Sequence, residues 1–245
     1  MTIGIFDSGI GGLTVLREIV KNKPNNKYIY VGDTLNIPYG NKSKEELLKL
    51  SSMIINYLIS RKVDLIIIAC GTVSSNLANE LKIKYDIPII DIISPTINYL
   101  NNIEIDNIGV MATSMTIKSR IFSKQLTNKK VIEIACPDLV PNIEYNNEEG
   151  INIALNKYLE IFKKNKIDII VLGCTHYPIV WKQINSILNN KIQLYNMAKP
   201  IVDMIDNNDV SDVLINYTKI DDVIINNTNK ILSDINYKTN LIKLD

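Results

Sequence analysis

Residues 64–70, DLIIIAC, return 104 positions later as residues 168–174, DIIVLGC. Two other apolar segments recur at nearly the same interval. Residues 3–8 (IGIFDS) correspond to residues 108–113 (IGVMAT), and residues 28–33 (YIYVGD) correspond to residues 131–136 (VIEIAC). Short apolar runs rich in Ile and Val are typical of strands that are buried on both faces of a parallel sheet. The nearly constant shift of three such strands predicts two similar halves.

Helical periodicity separates these strands in both halves. In the first half, Ser43 and Glu46 form a capping-box signature for the start of a helix. Apolar residues then recur at steps of three and four, at Leu47, Leu50, Ile54 and Leu58 in the first half and at Ile151, Leu155, Tyr158 and Phe162 in the second. We therefore predict an α/β fold of two similar lobes, each a mostly parallel sheet flanked by helices, related by a pseudo-twofold axis.

The boundary between the lobes is expected near residues 94–96 (SPT), after a predicted strand at 88–93 (PIIDII). The first lobe would then hold residues 1–97 and the second residues 98–204. The residues after 204 are rich in Asn and Asp, and their pattern alone does not show which lobe they join.

Composition and charge exclude several classes of function. The 245 residues carry 27 Lys and Arg against 26 Asp and Glu, whereas nucleic acids and anionic membranes attract a clustered basic excess. The first residues lack the basic segment of a secretory signal, and no apolar run approaches the ~20 residues that span a bilayer. We expect a soluble, cytoplasmic protein with neither nucleic-acid nor membrane partners. Its three cysteines are too few and too scattered for a disulfide framework.

Cys70 and Cys174 end equivalent strands of the repeat, where open parallel sheets bind their ligands. If the lobes face each other, the two sulfurs approach one ligand from opposite sides. Inversion of a carbon centre needs this arrangement, because one group removes a proton and the other returns one to the opposite face. Both cysteines precede predicted helix starts, which would lower their thiol pKa. A single buried cysteine is more often a small apolar residue, so the pairing carries the prediction.

Two further candidate site residues, His176 and Cys136, are less informative than the cysteine pair. His176 is the only histidine and lies two residues after Cys174, where it could tune the thiol, protonate a carboxylate or be an ordinary buried polar residue. Cys136 also ends a strand, but its counterpart in the first half is Asp33, so we interpret it as structural. Cys70, Cys174 and His176 would resemble a zinc site if they converged, but no metal-binding spacing supports this, and we predict no metal.

Residues 7–13 (DSGIGGL) form a glycine-rich link between a strand and a helix. The spacing fits neither a dinucleotide fingerprint nor a phosphate-binding P-loop. We expect the loop to present Ser8 and backbone N–H groups to an anion, for which a carboxylate is suitable. Tight packing of the helix against the strand is the other reason for the glycines, and it is compatible with anion binding.

These segments resemble the glutamate racemases of the aspartate/glutamate racemase superfamily. The resemblance rests on residues 4–15 (GIFDSGIGGLTV), 30–34 (YVGDT), 37–40 (IPYG), 69–72 (ACGT), 116–119 (TIKS), 139–141 (LVP) with Glu144, and 173–178 (GCTHYP). It implies a cofactor-independent enzyme without metal, whose two thiols alternate as base and acid at the α-carbon of glutamate. It also implies a site between the lobes and a C-terminal segment, residues 205–245, that returns to the first lobe.

The resemblance also implies roles for individual residues. Cys70 would act on the D-enantiomer and Cys174 on the L-enantiomer. The enzyme would supply D-glutamate for peptidoglycan. Asp7, Glu144 and His176 would assist catalysis. The substrate would be held by Asp7, Ser8, Pro38, Tyr39, Gly40, Gly71, Thr72, Thr113, Thr116, Thr175 and His176. A homodimer is left open.

Two positions depart from the family pattern. The family's Cys-Asn-Thr-Ala is CGTV at residues 70–73, and its Glu-Pro-Gly near the lobe junction is SPT at residues 94–96. Gly71 lacks the amide that would contact substrate, and we expect it to enlarge the pocket. A racemase of another amino acid and a non-catalytic ligand-binding relative therefore stay as alternatives.

Overall fold

Two parallel β-sheets form the frame of the protein in this computed structural model, which describes residues 1–208 and 211–244. The strands of the described residues are β1 (Thr2–Asp7), β2 (Lys27–Gly32), β3 (Leu65–Ile68), β4 (Ile89–Asp91), β5 (Asn107–Ala112), β6 (Lys130–Ala135), β7 (Ile169–Leu172), β8 (Gln193–Asn196), β9 (Asp212–Tyr217) and β10 (Lys238–Leu241). The strands pair in parallel within each sheet.

Helices connect the strands along the whole chain. They are α1 (Leu13–Asn22), α2 (Lys44–Ser60), α3 (Gly71–Lys84), α4 (Ile93–Asn101), α5 (Ser114–Ser119), α6 (Ile121–Gln125), α7 (Leu139–Glu144), α8 (Glu148–Lys164), α9 (Trp181–Ile187), α10 (Lys199–Val202) and α11 (Asp222–Ile231), with 3₁₀ turns at Tyr39–Asn41 and Tyr177–Val180. The two helices that the apolar spacing predicts are present as α2 and α8. The predicted capping box is present, since Ser43 accepts from Glu46 N and Glu46 accepts from Ser43 N. No helix of the described residues could cross a bilayer.

The two sheets share one strand order, which explains the sequence repeat. The first contains β2-β1-β3-β4 and the second contains β6-β5-β7-β8. The fourth strands, β4 and β8, pair with equivalent residues of β3 and β7, so the duplication extends to a strand that the sequence comparison did not include. The predicted two-lobed α/β fold is confirmed.

The C-terminal segment adds two strands to the first sheet. β9 lies beside β2, and β10 beside β9, which gives the order β10-β9-β2-β1-β3-β4. The limits predicted for the lobes, residues 1–97 with 205–245 and residues 98–204, stay a prediction, and the limit at residue 97 falls inside α4.

The strand expected at residues 88–93 is shorter than predicted, and residues 94–96, where the lobe boundary was expected, are helical. Asp91 ends β4, and its carboxylate accepts hydrogen bonds from Ile93 N (3.0 Å), Ser94 N (2.7 Å) and Ser94 Oγ (2.7 Å). These bonds satisfy the first N–H groups of α4, and Pro95 fits the first turn of a helix. The chain therefore enters a helix two residues earlier than its apolar run suggests.

One apolar core runs through both lobes. It joins β1 residues such as Ile3 and Ile5 with β5 and β7 residues such as Ile108, Val110 and Ile169. Two further cores cover the outer faces of the two sheets. Because the lobes share buried side chains, their sheets are held close together, and a cavity remains between residues that follow the carboxyl ends of strands from both sheets.

Candidate active site

A small cavity of about 50 Å³ lies between the lobes. The first lobe lines it with Ser8, Ile37, Pro38, Tyr39, Gly40, Asn41, Cys70, Gly71 and Thr72, and the second with Thr113, Ser114, Cys136, Pro137, Val140, Pro141, Cys174, Thr175 and His176. Cys70 follows β3 and Cys174 follows β7, which are equivalent strands of the two sheets. The two sulfur-bearing residues of the repeat therefore share one cavity.

Cys70 forms the N-cap of α3 and is almost fully buried. Its Sγ lies 4.0 Å from Ser8 Oγ. Burial raises the pKa of the thiol above its ordinary value, and the Asp7 carboxylate raises it further. Backbone N–H groups at the start of α3 lower the pKa but do not offset burial. The expected net lowering of the pKa of Cys70 is therefore wrong, because desolvation of the thiolate is a larger effect than the helix start.

Cys174 is next to a buried ion pair. Its Sγ lies 3.8 Å from His176 Nδ1, and His176 Nε2 lies 2.6 Å from Glu144 Oε1. Burial lowers the pKa of His176, but the hydrogen bonds with Cys174 and Glu144 and the charge of Glu144 outweigh it and raise the pKa well above the ordinary value. The imidazolium form can donate to Cys174 with one nitrogen and to Glu144 with the other.

The glycine-rich loop binds an anion of the protein itself. Asp7 Oδ2 accepts from Gly12 N at 2.8 Å and from Gly9 N at 3.4 Å. Thr175 Oγ1 lies 3.4 Å from both Asp7 oxygens. Asp7 is fully buried, which raises the pKa of its carboxyl. The expectation that these N–H groups face an external anion is therefore incorrect, because the Asp7 carboxylate already occupies them.

Two glycines of this loop also allow the first lobe to approach the paired His176 and Glu144 side chains of the second. A Cβ at Gly11 would lie 2.3 Å from His176 Nδ1, and a Cβ at Gly9 would lie 2.8 Å from Glu144 Oε1. Such distances are far inside van der Waals contact. Gly9 and Gly11 therefore pack between the lobes, which the sequence did not predict. Gly12 fits the expected packing of helix against strand, because a Cβ there would lie 2.5 Å from Asp7 Cβ.

A chain of hydroxyl groups joins the two lobes at the cavity wall. Thr72 Oγ1 lies 3.0 Å from Thr113 Oγ1, which lies 3.0 Å from Thr116 Oγ1. Thr116 is fully buried and does not line the cavity. Asp7 and Glu144 also lie outside the lining, each in contact with a residue that belongs to it. The other residues predicted for the site face the cavity.

Gly71 does not enlarge the cavity as expected. A Cβ at this position would lie 2.7 Å from the carbonyl oxygen of Gly173, in the other lobe. The space beside Gly71 is thus filled by backbone of the second lobe. The absence of a side chain brings the lobes closer together where the two cysteines lie.

Sequence reasoning missed part of the cavity wall. Cys136 is fully buried and lines the cavity, although we interpreted it as structural, and Asn41 and Ser114 also line it. The available signal was that Cys136 follows β6, next to β5 in the same sheet. Burial raises the pKa of its thiol. Among the described residues, no cluster of three or more His, Cys, Asp or Glu side chains could hold a metal ion.

Comparisons with known proteins identify similar chains along most of the sequence. The family model described as Asp/Glu/Hydantoin racemase matches residues 12–205. A glutamate racemase of Prochlorococcus marinus (strain NATL2A) is 35% identical over 207 residues, which cover 82% of this chain and 77% of the relative.

Two solved structures have the same fold along nearly the full length. A glutamate racemase isoform from Bacillus anthracis has a TM-score of 0.91 and 26% identity, covering 99% of this chain and 97% of its own. The glutamate racemase from Francisella tularensis subsp. tularensis SCHU S4, in complex with D-glutamate, has a TM-score of 0.89 and 30% identity, covering 100% and 98%.

Proposed function

The chain belongs to the Asp/Glu/Hydantoin racemase family, and we propose that it interconverts L- and D-glutamate with Cys70 and Cys174 as the two proton carriers. One observation carries the proposal: cysteines from equivalent strand ends of the two lobes line the same cavity. Two groups on opposite sides of a carbon can remove a proton from one face and return another to the opposite face.

The proposed reaction on L-glutamate begins at Cys174. Its thiolate takes the α-proton, so that the C–H bond breaks, an S–H bond forms and the electron pair stays on the α-carbon and its carboxylate. Cys70 then gives its thiol proton to the opposite face, which forms the D-enantiomer and leaves a thiolate on Cys70. The reverse reaction uses the same groups in exchanged roles.

The surroundings of the two thiols are consistent with these roles. The raised pKa of Cys70 keeps it protonated in the free protein, as a proton donor requires. The imidazole of His176, held by Glu144, lies beside Cys174 and can stabilise its thiolate as a cation. Uncharged donors in the lining, such as Ser8 and Thr72, can bind carboxylate oxygens as negative charge develops on them.

Glutamate is the substrate that the relatives favour. The curated relative is named a glutamate racemase, and the Francisella tularensis structure contains D-glutamate. We extend the proposal to supply of D-glutamate for peptidoglycan in the cytoplasm. The homodimer that the sequence left open stays a prediction, which the molar mass in solution would test.

Racemisation in heavy water tests the proposal. The wild-type protein should interconvert both enantiomers and introduce deuterium at the α-carbon. Cys70→Ser and Cys174→Ser should each abolish interconversion, because one face of the carbon loses its acid or base. Each variant should keep some exchange with only one enantiomer, L-glutamate for Cys70→Ser and D-glutamate for Cys174→Ser, since the remaining thiol can return a proton to the face it came from.

Cys136→Ser is the matched control, because it changes another buried thiol of the same cavity. It should still racemise glutamate at a measurable rate. Faster turnover of another amino acid would correct the substrate while keeping the mechanism. Thermal stabilisation by glutamate without α-proton exchange would instead support the non-catalytic alternative and refute the proposed function.

A further inference from the structure

A fully buried carboxylate lies behind the cavity wall of the first lobe. Asp33 directly follows β2, is fully buried and does not line the cavity. No Lys, Arg or His among the described residues forms an ion pair with it. A buried charge without a cation is costly unless hydrogen bonds satisfy it, so its partners indicate what it does.

Three side chains donate hydrogen bonds to Asp33. Tyr39 OH donates to Oδ2 at 2.6 Å, and Thr218 Oγ1 donates to Oδ1 at 2.8 Å. Asn36 Nδ2 lies 2.9 Å and 3.0 Å from the two oxygens. An ionised carboxylate only accepts hydrogen bonds and offers about four acceptor sites. A carboxylate therefore suits this set of donors better than an amide, whose NH2 group would face another donor.

Tyr39 connects this carboxylate to the cavity. Its side chain is fully buried and belongs to the lining. Burial, and next the charge of Asp33, raises the pKa of Tyr39, so the hydroxyl keeps the proton that it donates. The adjacent Gly40 packs against Thr113 of the second lobe, where a Cβ at position 40 would lie 3.2 Å from Thr113 Cβ. Tyr39 and Gly40 together form a part of the cavity wall that contacts the other lobe, and we call it the Tyr39 wall.

Thr218 connects the same carboxylate to the C-terminal segment. It follows β9, and its Oγ1 also accepts from Leu35 N at 2.9 Å. The next residue, Lys219, donates its backbone N–H to Thr34 Oγ1 at 3.0 Å, and Thr34 Oγ1 donates to Lys219 O at 2.5 Å. The C-terminal segment is therefore fastened to the start of the loop that carries Tyr39.

We propose that Asp33 is a positioning residue for substrate binding, which holds the Tyr39 wall of the cavity and makes the C-terminal segment a structural support of that wall. This inference rests on the proposed glutamate racemase function. Asp33 acts through Tyr39, so its loss should weaken substrate binding more than it slows proton transfer between the thiols and the α-carbon.

Steady-state racemisation of glutamate by Asp33→Asn, Tyr39→Phe and the double variant tests the proposal. We expect Asp33→Asn to raise KM by about tenfold, the factor that corresponds to one lost hydrogen bond of ordinary strength. Its kcat should change by less than about threefold. The double variant should resemble Asp33→Asn alone, because both substitutions remove the same contact.

Asp91→Asn is the matched control. Asp91 is a second buried carboxylate at a strand end of the same lobe, paired with Lys82 and capping α4, and it does not line the cavity. Asp91→Asn should lower the thermal midpoint without changing KM. If Asp33→Asn does not fold, Thr218→Val carries the test, because it removes one donor and keeps the carboxylate; it should raise KM by a smaller factor.

The outcomes separate this proposal from the function on which it rests. A wild-type protein that racemises no glutamate refutes the proposed function. Active wild type with an unchanged KM in Asp33→Asn, or with independent and multiplicative effects of the two substitutions, refutes the role of Asp33 alone. A loss of thermal stability with unchanged KM would assign Asp33 to folding only.

Discussion

At the scale of single residues, the two thiols of the cavity have different neighbours. Cys70 contacts the hydroxyl of Ser8, and the nearby charge that affects it is the Asp7 carboxylate, which opposes ionisation. Cys174 contacts the imidazole of His176, which can carry a positive charge. The asymmetry is useful for a reaction in which one group must begin as the acid and the other as the base.

The charge of Asp7 should be measurable at Cys70. Asp7→Asn keeps the shape of the side chain but removes the charge, so the pKa of Cys70 should fall and alkylation by iodoacetamide at pH 8 to 9 should become faster. The rate is followed by mass spectrometry in a background with Cys136→Ser and Cys174→Ser. Glu144→Gln, which does not contact Cys70, is the control. An unchanged or slower alkylation in Asp7→Asn would contradict the electrostatic account.

The ion pair of His176 and Glu144 should make stability depend on pH. Because the folded-state pKa of His176 is raised, the contribution is fully present below the ordinary pKa of about 6.5 and is lost as pH rises through the folded-state value. The thermal midpoint of His176→Asn should therefore lie furthest below that of the wild type near pH 6 and approach it towards pH 10.

Lys164→Gln is the control for this pH series, since it removes an exposed ion pair with Glu160. Its small effect should not change between pH 6 and pH 9. A difference between wild type and His176→Asn that stays constant over the same range would show that His176 is uncharged in the folded protein.

At the scale of elements, helix α11 of the C-terminal segment supports the short helix α7. Asn227 is buried in α11, and its Nδ2 donates to Glu144 O at 3.1 Å, at the last residue of α7. A helix of six residues has little stability of its own. The position of Glu144, and through it of His176, therefore depends on an element that the chain reaches about eighty residues later.

Asn227→Ala should affect both stability and activity. It leaves the Glu144 carbonyl without its partner in a buried site, which costs about 1–3 kcal/mol, and we expect kcat to fall several-fold as Glu144 moves. Denaturant unfolding and racemisation rates are the measurements. Ser43→Ala removes the cap of α2 at a similar cost of about 0.5–2 kcal/mol and should leave kcat unchanged. Equal activity of the two variants would mean that α11 does not position Glu144.

At the scale of the whole molecule, the two lobes meet backbone to backbone beside the cavity. The pair is Gly71 and Gly173, next to the two cysteines in the sequence. The cavity is small and its cysteines are buried, so we expect the lobes to separate for substrate entry and to close for the proposed reaction. Closure of this kind excludes water and aligns the reacting groups.

Gly71→Ala should hinder closure. Its Cβ would lie 2.7 Å from the Gly173 carbonyl oxygen, a backbone atom that cannot rotate away, so we expect kcat/KM to fall by about tenfold or more. Gly4→Ala is the control, because its Cβ would meet only the Leu58 side chain at 3.1 Å within one lobe. It should change stability and leave kcat/KM unaltered. Full activity of Gly71→Ala would show that the contact with Gly173 is not needed.

Much of the fold was predictable because its signal is local. Strands buried on both faces are apolar along most of their length, and β1, β2, β3, β5 and β7 therefore appear in the sequence as apolar runs. β6 is recognised by its place in the repeat, since it is an edge strand and only partly buried. β10 has no such signal, because its four residues are exposed and it is held by pairing with β9. β9 is interrupted by the polar Asn216, whose side chain donates to Tyr30 O on the neighbouring strand.

The sequence by itself determined the two-lobed α/β fold and singled out Cys70 and Cys174 as a pair at equivalent strand ends. It could do so because duplication and apolar periodicity are properties of the chain read in order. Only the tertiary structure decided which groups meet. It put the Asp7 carboxylate in the glycine-rich loop, the Gly173 backbone beside Gly71, and Asp33 behind Tyr39. Hydrogen bonds and steric contacts depend on distances and orientations in space. The order of residues does not give these, whether the partners are close in sequence, as Asp7 and Gly12 are, or far apart, as Gly71 and Gly173 are.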